Sequence, residues 1–209
     1  MTSLPRFTPC CLAVLLALAS SGCSMLSPDD SISAYPVAAC GDTFLLSGRI
    51  AIRYQRNGKE ENLHGQFRWT QSSGRIRIDL GTPMGTTLAS LSVDPTRATL
   101  VIPQRKQIDT ADTAEQLTRQ KLGWTLPASS MQYWLQGCAT DDNGSAFLAT
   151  PRQNEVTTAQ GWHIHYADWM RVDETRIRPR RIDIAYLPPE SQEAEAEIHI
   201  HIIADTWQD

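Results

Sequence analysis

A mainly β domain, built on one strongly curved antiparallel sheet with a helical insert laid against it, is the fold class this sequence predicts. Three observations carry that reading. Apolar side chains recur at every second residue in two long blocks, residues 46–80 and 162–202, which is the period of strands with one buried and one wet face. Between the blocks the spacing lengthens to that of helices, over residues 113–122 and 128–136. The links between alternating segments hold hairpin chemistry, as in Gln55-Arg56-Asn57-Gly58-Lys59 and Ser72-Ser73-Gly74, and not the long crossovers that parallel strands require.

The first element is an export signal. Arg6 precedes an apolar run at residues 11–19, followed by Ser20-Ser21-Gly22-Cys23. A positive flank, a short apolar stretch and a small-residue exit form the secretory pattern. The run is too short to cross a bilayer core, which needs roughly 20 apolar residues. Small residues directly before a cysteine resemble a bacterial lipobox, in which Cys23 is lipidated and becomes the mature N-terminus. Ser20 departs from the leucine such motifs usually carry three residues before the cysteine, and an ordinary signal with an incidental cysteine is the competing reading. Residues 1–22 are thus assigned to the signal, 23–43 to the lipidated N-terminus and a flexible tether, and 44–209 to the folded domain. The tether is rich in Ser, Asp, Pro and Ala and has too few apolar residues to order itself.

Removing the signal leaves about 187 residues, enough for one domain with a substantial core. Of the charged residues only Arg6 is lost, so the net charge moves from −4 to −5; nucleic acid, which requires a basic face, is an unsuitable partner. Cys10 and Cys11 depart with the signal and Cys23 carries the lipid. Cys40 and Cys138 remain in an oxidising compartment, as a disulfide or as two free thiols.

Within the domain, Gly48, Ile50, Ile52 and Tyr54 alternate with Arg49, Ala51 and Arg53. Leu63, Gly65, Phe67 and Trp69 form the second inward row, and Ile76, Ile78 and Leu80 the third. Residues 89–93 and 98–102 are weaker strand candidates. Asp112 or Thr113 caps a helix that Gly123 stops, and Pro127 opens a second one closed by Gly137. Alternation then returns at Trp162, Ile164 and Tyr166, at Ile182, Ile184 and Tyr186, and at Ala196, Ile198, Ile200 and Ile202. The acidic run at residues 190–197 reads as a solvated hairpin and strand edge, where charge discourages edge pairing.

Two readings of the inward face stand on the residues alone. It is a packed core covered by helices, or it is the wall of an apolar cavity inside a sheet of about eight or more strands. A metal site is a rival on the opposite face: His163 and His165 alternate on one strand, His199 and His201 on another, with Asp183 between them. All four histidines fall on the polar face, where they are also ordinary wet residues. The hydrolase elbow, the zinc-protease helix motif and the phosphate-cradling glycine loop are not present, and the chain is read as a non-enzyme without a cofactor.

Several segments, taken in order, resemble the outer-membrane lipoprotein receptor family LolB. They are Ser47-Gly48-Arg49-Ile50-Ala51 with Phe67-Arg68-Trp69, then Asp79-Leu80-Gly81-Thr82-Pro83-Met84-Gly85, then Leu122-Gly123-Trp124-Thr125-Leu126-Pro127 with Tyr133-Trp134-Leu135-Gln136-Gly137. Gly161-Trp162-His163-Ile164-His165-Tyr166 and Ala204-Asp205-Thr206-Trp207 extend the match. The resemblance implies a half-barrel like those of LolA and LolB, enclosing an apolar cavity and capped by short helices. It implies a lipid-anchored protein in the outer membrane, facing the periplasm. Such a protein accepts acylated lipoproteins from a LolA-like periplasmic carrier and inserts them among outer-membrane lipids. Ser24 is compatible with outer-membrane sorting, since aspartate there is the usual retention signal.

The same resemblance points to Pro83, Met84 and Gly85 as a membrane insertion loop, with Met84 in the place of the family's exposed leucine. It makes the inward face an acyl-binding cavity formed by Ile50, Ile52, Phe67, Trp69, Ile76, Ile78, Trp162, Ile164, Tyr166, Ile182, Ile184, Ile198 and Ile200. Leu117, Trp124, Met131 and Trp134 form its lid, and lid contacts are expected to be polar or loosely packed so that the lid opens. The expected species is a monomer. A lipid- or small-ligand-binding lipoprotein without handoff is the nearest competing function, ahead of a metal-binding periplasmic protein.

Overall fold

The computed structural model describes residues 32–56, 58–187 and 197–208. The signal, Cys23, the first part of the tether and the acidic run at residues 190–196 lie outside the described residues. The strands are β1 (Phe44–Arg56), β2 (Lys59–Ser72), β3 (Arg75–Gly81), β4 (Thr87–Asp94), β5 (Arg97–Ile102) and β6 (Gln107–Ala111). Helices α1 (Ala114–Leu122) and α2 (Ala128–Trp134) follow, then β7 (Cys138–Thr140), β8 (Ala146–Leu148), β9 (Glu155–Thr157), β10 (Trp162–Arg171), β11 (Ile177–Tyr186) and β12 (Ile198–Gln208).

Ten of these strands form one antiparallel sheet in the order β6-β5-β4-β3-β2-β1-β12-β11-β10-β9, and β7 and β8 pair separately. The large sheet is open, with β6 and β9 at its edges. Each neighbour within a half is the next strand in sequence; only β1 and β12, the first and last, meet across the whole chain. Irregularities in pairing fall at Ser47/Gly48, Leu80/Gly81 and on both sides of Asp168, and such bulges bend and twist the strands that carry them. Gly48 is required at the first, because a Cβ there would run into the Ile203 carbonyl oxygen.

The alternation in the sequence is the alternation in burial. Ile52 and Tyr54 on β1, Phe67 and Trp69 on β2, and Ile198, Ile200 and Ile202 on β12 are buried, while Arg49, Arg53, Arg68 and His201 between them are exposed. The register places Ile52 beside Ile200 and Ile184 beside Ile200, so one continuous apolar row crosses the middle of the sheet. The two helices lie over this face. Thr113 caps α1, its hydroxyl accepting from the Gln116 amide at 3.1 Å, and Gly123 ends the helix at φ 82°, a conformation glycine adopts without steric cost. The second helix stops at Trp134, earlier than the predicted residue 136, and the chain turns through Leu135, Gln136 and Gly137. Among the described residues no helix is long and apolar enough to cross a membrane.

The tether expected to run to residue 43 is held against the domain from Ile32 onward. Ile32–Ala34 forms a 3-10 turn, and Val37 makes a parallel bridge to Ile177. The Ala38 amide donates to the Ile177 carbonyl at 2.9 Å, and the Ile177 amide to that of Pro36 at 3.0 Å. Gln136, fully buried, clamps Gly41 from both sides: its Oε1 accepts from the Gly41 amide at 2.9 Å and its Nε2 donates to the Gly41 carbonyl at 3.0 Å. Cys40 and Cys138 form a disulfide with Cα atoms 6.4 Å apart, which settles the choice the sequence left open. A polar, proline-containing segment orders here because the domain supplies its partners.

Candidate functional site: an apolar cavity and an exposed loop

Between the sheet and the helices lies a cavity of about 110 Å³. Its floor is Ile50 and Ile52 on β1, Leu63, Phe67 and Trp69 on β2, Ile78 and Leu80 on β3, Ala89 and Leu91 on β4, Leu100 on β5 and Ile202 on β12. Its roof is Thr118 and Leu122 on α1, Trp124 and Leu126 in the connector, and Met131 and Leu135. Thr118 is the one hydroxyl in this lining, and it is fully used. It donates to the Ala114 carbonyl and accepts from the Leu126 amide, both at 2.9 Å. Apart from the indole nitrogens of Trp69 and Trp124, the rest of the side-chain lining is aliphatic, aromatic or thioether surface, which favours an apolar guest.

Of the residues predicted to line an acyl cavity, Ile50, Ile52, Phe67, Trp69, Ile78, Trp124 and Met131 do border this space. The others do not meet it. Ile76 is buried at the mouth of a separate surface groove beside Tyr133 and Val93. Leu117 is buried on α1 within the core. Trp134 packs on Trp162, ring centroids 5.7 Å apart, and its carbonyl accepts from the buried Tyr166 hydroxyl at 3.0 Å. Ile164, Ile182, Ile184, Ile198 and Ile200 fill the neighbouring interior with Trp162 and Tyr166. Burial pushes the Tyr166 phenol well above its usual value.

Leu63, Leu80, Ala89, Leu91, Leu100, Leu122, Leu126, Leu135 and Ile202 also border the cavity, outside the predicted set. For Leu63, Leu80 and Ile202 the alternation was the signal that could have found them. Leu91 and Leu100 stand on the strands with the weakest pattern.

Polar contacts join the parts of this cover, and one ties it to the sheet. Glu115 on α1 accepts from the Ser129 amide at 3.1 Å and hydroxyl at 2.7 Å. Arg119 donates to Thr125 at 3.0 Å. Lys121 pairs with Asp109 on the edge strand β6, and the ammonium hydrogen bond holds the Asp109 carboxyl below its ordinary value.

The cavity wall runs directly into the second feature. Leu80 and Ala89, both lining residues, are cross-strand partners, and the β3–β4 loop begins immediately beyond them. The Gly85 amide donates to the Thr82 carbonyl at 2.9 Å, closing a four-residue turn. Proline at its second position and glycine at its fourth suit a type I turn, and Gly85 takes φ 84°. The Thr82 hydroxyl accepts from the Thr86 amide at 3.2 Å. This frame leaves the Met84 side chain 96% exposed.

On the other face of the sheet, β11 does place Asp183 between His165 and His201. His201 Nδ1 lies 2.7 Å from Asp183, but His165 is 3.8 Å from both Asp183 and Glu155. His163 bonds to the Thr157 hydroxyl at 3.0 Å, and His199 pairs with Glu197. Among the described residues no group of three or more His, Cys, Asp or Glu is arranged to hold a metal ion. The alternation spreads these four histidines along the wet face of the sheet.

The profile of the family described as Outer membrane lipoprotein LolB matches residues 42–207. A relative from Cupriavidus metallidurans, named outer-membrane lipoprotein LolB, is 35% identical over 185 residues, covering 86% of this chain and 88% of its own. One of the same name from Thiobacillus denitrificans is 28% identical over 200 residues, covering 94% and 97%. Among solved structures, a LolA superfamily protein from Nitrosomonas europaea superposes with a TM-score of 0.39 at 8% identity, over 83% of this chain and 87% of that one; so remote a likeness carries no weight. On the match across residues 42–207, which includes the cavity, its lid and the Met84 loop, the chain belongs to the LolB family of outer-membrane lipoproteins.

Proposed function

We propose that this chain is the membrane-side receiver for acylated lipoproteins. It takes their acyl chains from a LolA-type periplasmic carrier into the cavity under α1 and the Trp124 connector, and passes them to the outer membrane beside the Met84 loop. The observation that carries the reading is the continuity of the two features: the Leu80–Ala89 wall of an apolar cavity continues into a turn whose tip is a fully exposed methionine. Each methylene withdrawn from water is worth about 0.8 kcal/mol, so an acyl chain leaves one apolar site only for another. Handoff then needs no bond to form or break, only a gradient of affinity ending in the bilayer.

In this reading the cavity, at about 110 Å³, is too small for an acyl chain as it stands. A cavity of about 150 Å³ accommodates one benzene, so an acyl chain enters only as α1 and the connector lift from the sheet. Burying the Met84 side chain in lipid contributes roughly 1.5–3 kcal/mol, which suits a transient touch and falls well short of an anchor. In this reading Cys23 supplies the anchor through its lipid, and the residues between it and Ile32 supply reach.

The test is transfer itself. Purified domain is mixed with a carrier loaded with a radiolabelled lipoprotein, and the label is followed to this domain and then to liposomes. Acceptance followed by delivery is the expected result. Acceptance with no onward movement would leave a lipid-storing lipoprotein, and no acceptance would remove the receiver reading altogether.

A further inference from the structure

We propose that the indole N–H of Trp124 is the hydrogen-bond donor for a carbonyl oxygen of the acyl cargo, so that the site recognises how a chain is linked as well as how apolar it is. This rests on the receiver reading given above. Trp124 lies in the connector between the two lid helices, lines the cavity, and is only 5% exposed. Its Nε1 is itself buried and has no hydrogen-bond acceptor among the described residues. Its ring packs at a tilt against Tyr54, centroids 5.7 Å apart, a contact that phenylalanine would make equally well.

The neighbouring donors make the contrast. Trp69, which also lines the cavity, donates through Nε1 to the Gln71 side-chain Oε1 at 3.5 Å. Trp207 bonds to the Pro179 carbonyl at 3.1 Å. Thr118 is satisfied on both sides. Of the side-chain polar atoms in the cavity lining, the Trp124 nitrogen alone is left without a partner.

A buried donor without an acceptor destabilises the closed lid. An acyl chain is joined to its carrier molecule through an ester or amide carbonyl. That oxygen loses its waters as the chain enters an apolar site and needs a donor there. Each group lacks what the other has, and one hydrogen bond relieves both. The unpaired N–H therefore weakens closure of the free protein and strengthens closure over cargo.

The test compares wild type with Trp124→Phe, using synthetic lipopeptides whose two C16 chains are joined by ester or by ether bonds, and a third whose only carbonyl-linked chain is an N-terminal amide. Wild type should prefer a carbonyl-bearing probe to the ether probe by about tenfold, the worth of one such hydrogen bond. In W124F the ratio of carbonyl-bearing to ether-probe binding should fall toward one, whatever the lost apolar surface takes from the binding of all three probes alike. The indole proton resonance of Trp124, assigned by its loss in W124F, should move downfield with the ester or amide probe and stay in place with the ether one; which of the two moves it identifies the carbonyl. An unchanged preference in W124F or an immobile indole resonance would each overturn the proposal. Failure of wild type to bind any of the probes would instead overturn the receiver reading.

Discussion

The two halves of the sheet follow one pattern of alternation and are packed to different ends. In the half from β9 to β12, the inward residues Ile164, Tyr166, Ile182, Ile184, Ile198 and Ile200 are all buried. They are closed over by Trp134, by the Gln136 clamp on Gly41 and by the Cys40–Cys138 bridge. In the half from β1 to β6, Ile52, Phe67, Trp69, Leu91 and Leu100 are buried as well, but Ile50, Leu63, Ile78, Leu80 and Ala89 among them are only half-buried. Their cover is α1 and a connector that holds an unpartnered indole. Two identical faces therefore become a foundation and a cavity according to what is laid on each. In the β9–β12 half, hydrogen bonds and a covalent link secure the cover. In the other, one ion pair, Lys121–Asp109, and a few side-chain hydrogen bonds do, and no covalent link is added among the described residues.

If this division is right, equivalent truncations should differ sharply. Ile182→Ala, at a fully buried site, should lower unfolding stability by about 2–5 kcal/mol, whereas Ile78→Ala, on the cavity wall, should stay at or below about 2. Denaturant titration reads both, and equal losses would erase the distinction. Cargo binding should respond in the opposite order, weakened by I78A and indifferent to I182A under conditions where the latter remains folded.

Replacing Cys40 and Cys138 by alanine opens a link across 98 residues and should cost about 2–4 kcal/mol. Hydrogen exchange sharpens this: the added exposure should concentrate at residues 36–41 and around Gln136, and not over α1.

Tyr166→Phe should cost about 1–2 kcal/mol by leaving the Trp134 carbonyl unpaired. Because burial raises the Tyr166 phenol above its unfolded value near 10, its contribution is complete below about pH 10 and lost as the pH climbs toward the folded value. The stability advantage of wild type over Y166F should therefore be constant below about pH 10 and shrink above it, checked by denaturant titration at a series of alkaline pH values.

Met84→Glu touches nothing in the fold, and its effect on stability should lie within about 0.5 kcal/mol of zero. Acceptance of cargo should persist and delivery to liposomes should stop. Delivery at the wild-type rate would remove the loop from the mechanism.

The sequence showed the sheet more clearly than it showed its use. Strands β1, β2 and β10 to β12 are long enough for period two to be visible, and Thr113, Gly123 and Pro127 marked the helices. Strands β7, β8 and β9 are three residues each, too short for any period to register. The β6 strand passed unseen because Ile108, its one large apolar residue, points to solvent. Alternation tells which face a residue occupies and not what meets it there. Hence Ile184 and Ile78 read alike in the sequence, and only the placement of Trp134 and α1 separates core from cavity. The tether's composition spoke for disorder because its partners, Gln136, Ile177 and Arg178, lie far along the chain. The Met84 turn was legible throughout, since proline and glycine state their geometry locally.

The pairing of β1 with β12 at the middle of the sheet also fixes an order of assembly. Strands β1 to β6 form a meander of neighbours, whose contacts close short loops and form early. The centre of the sheet, by contrast, waits for the last strand of the chain. Until it arrives, β1 offers an unpaired edge flanked by the apolar row that later lines the interior, the kind of surface that draws stray strands. Loss of β12 would therefore do more than shorten the chain: it would remove the strand that joins β1 to β11 and leave the β1 edge exposed.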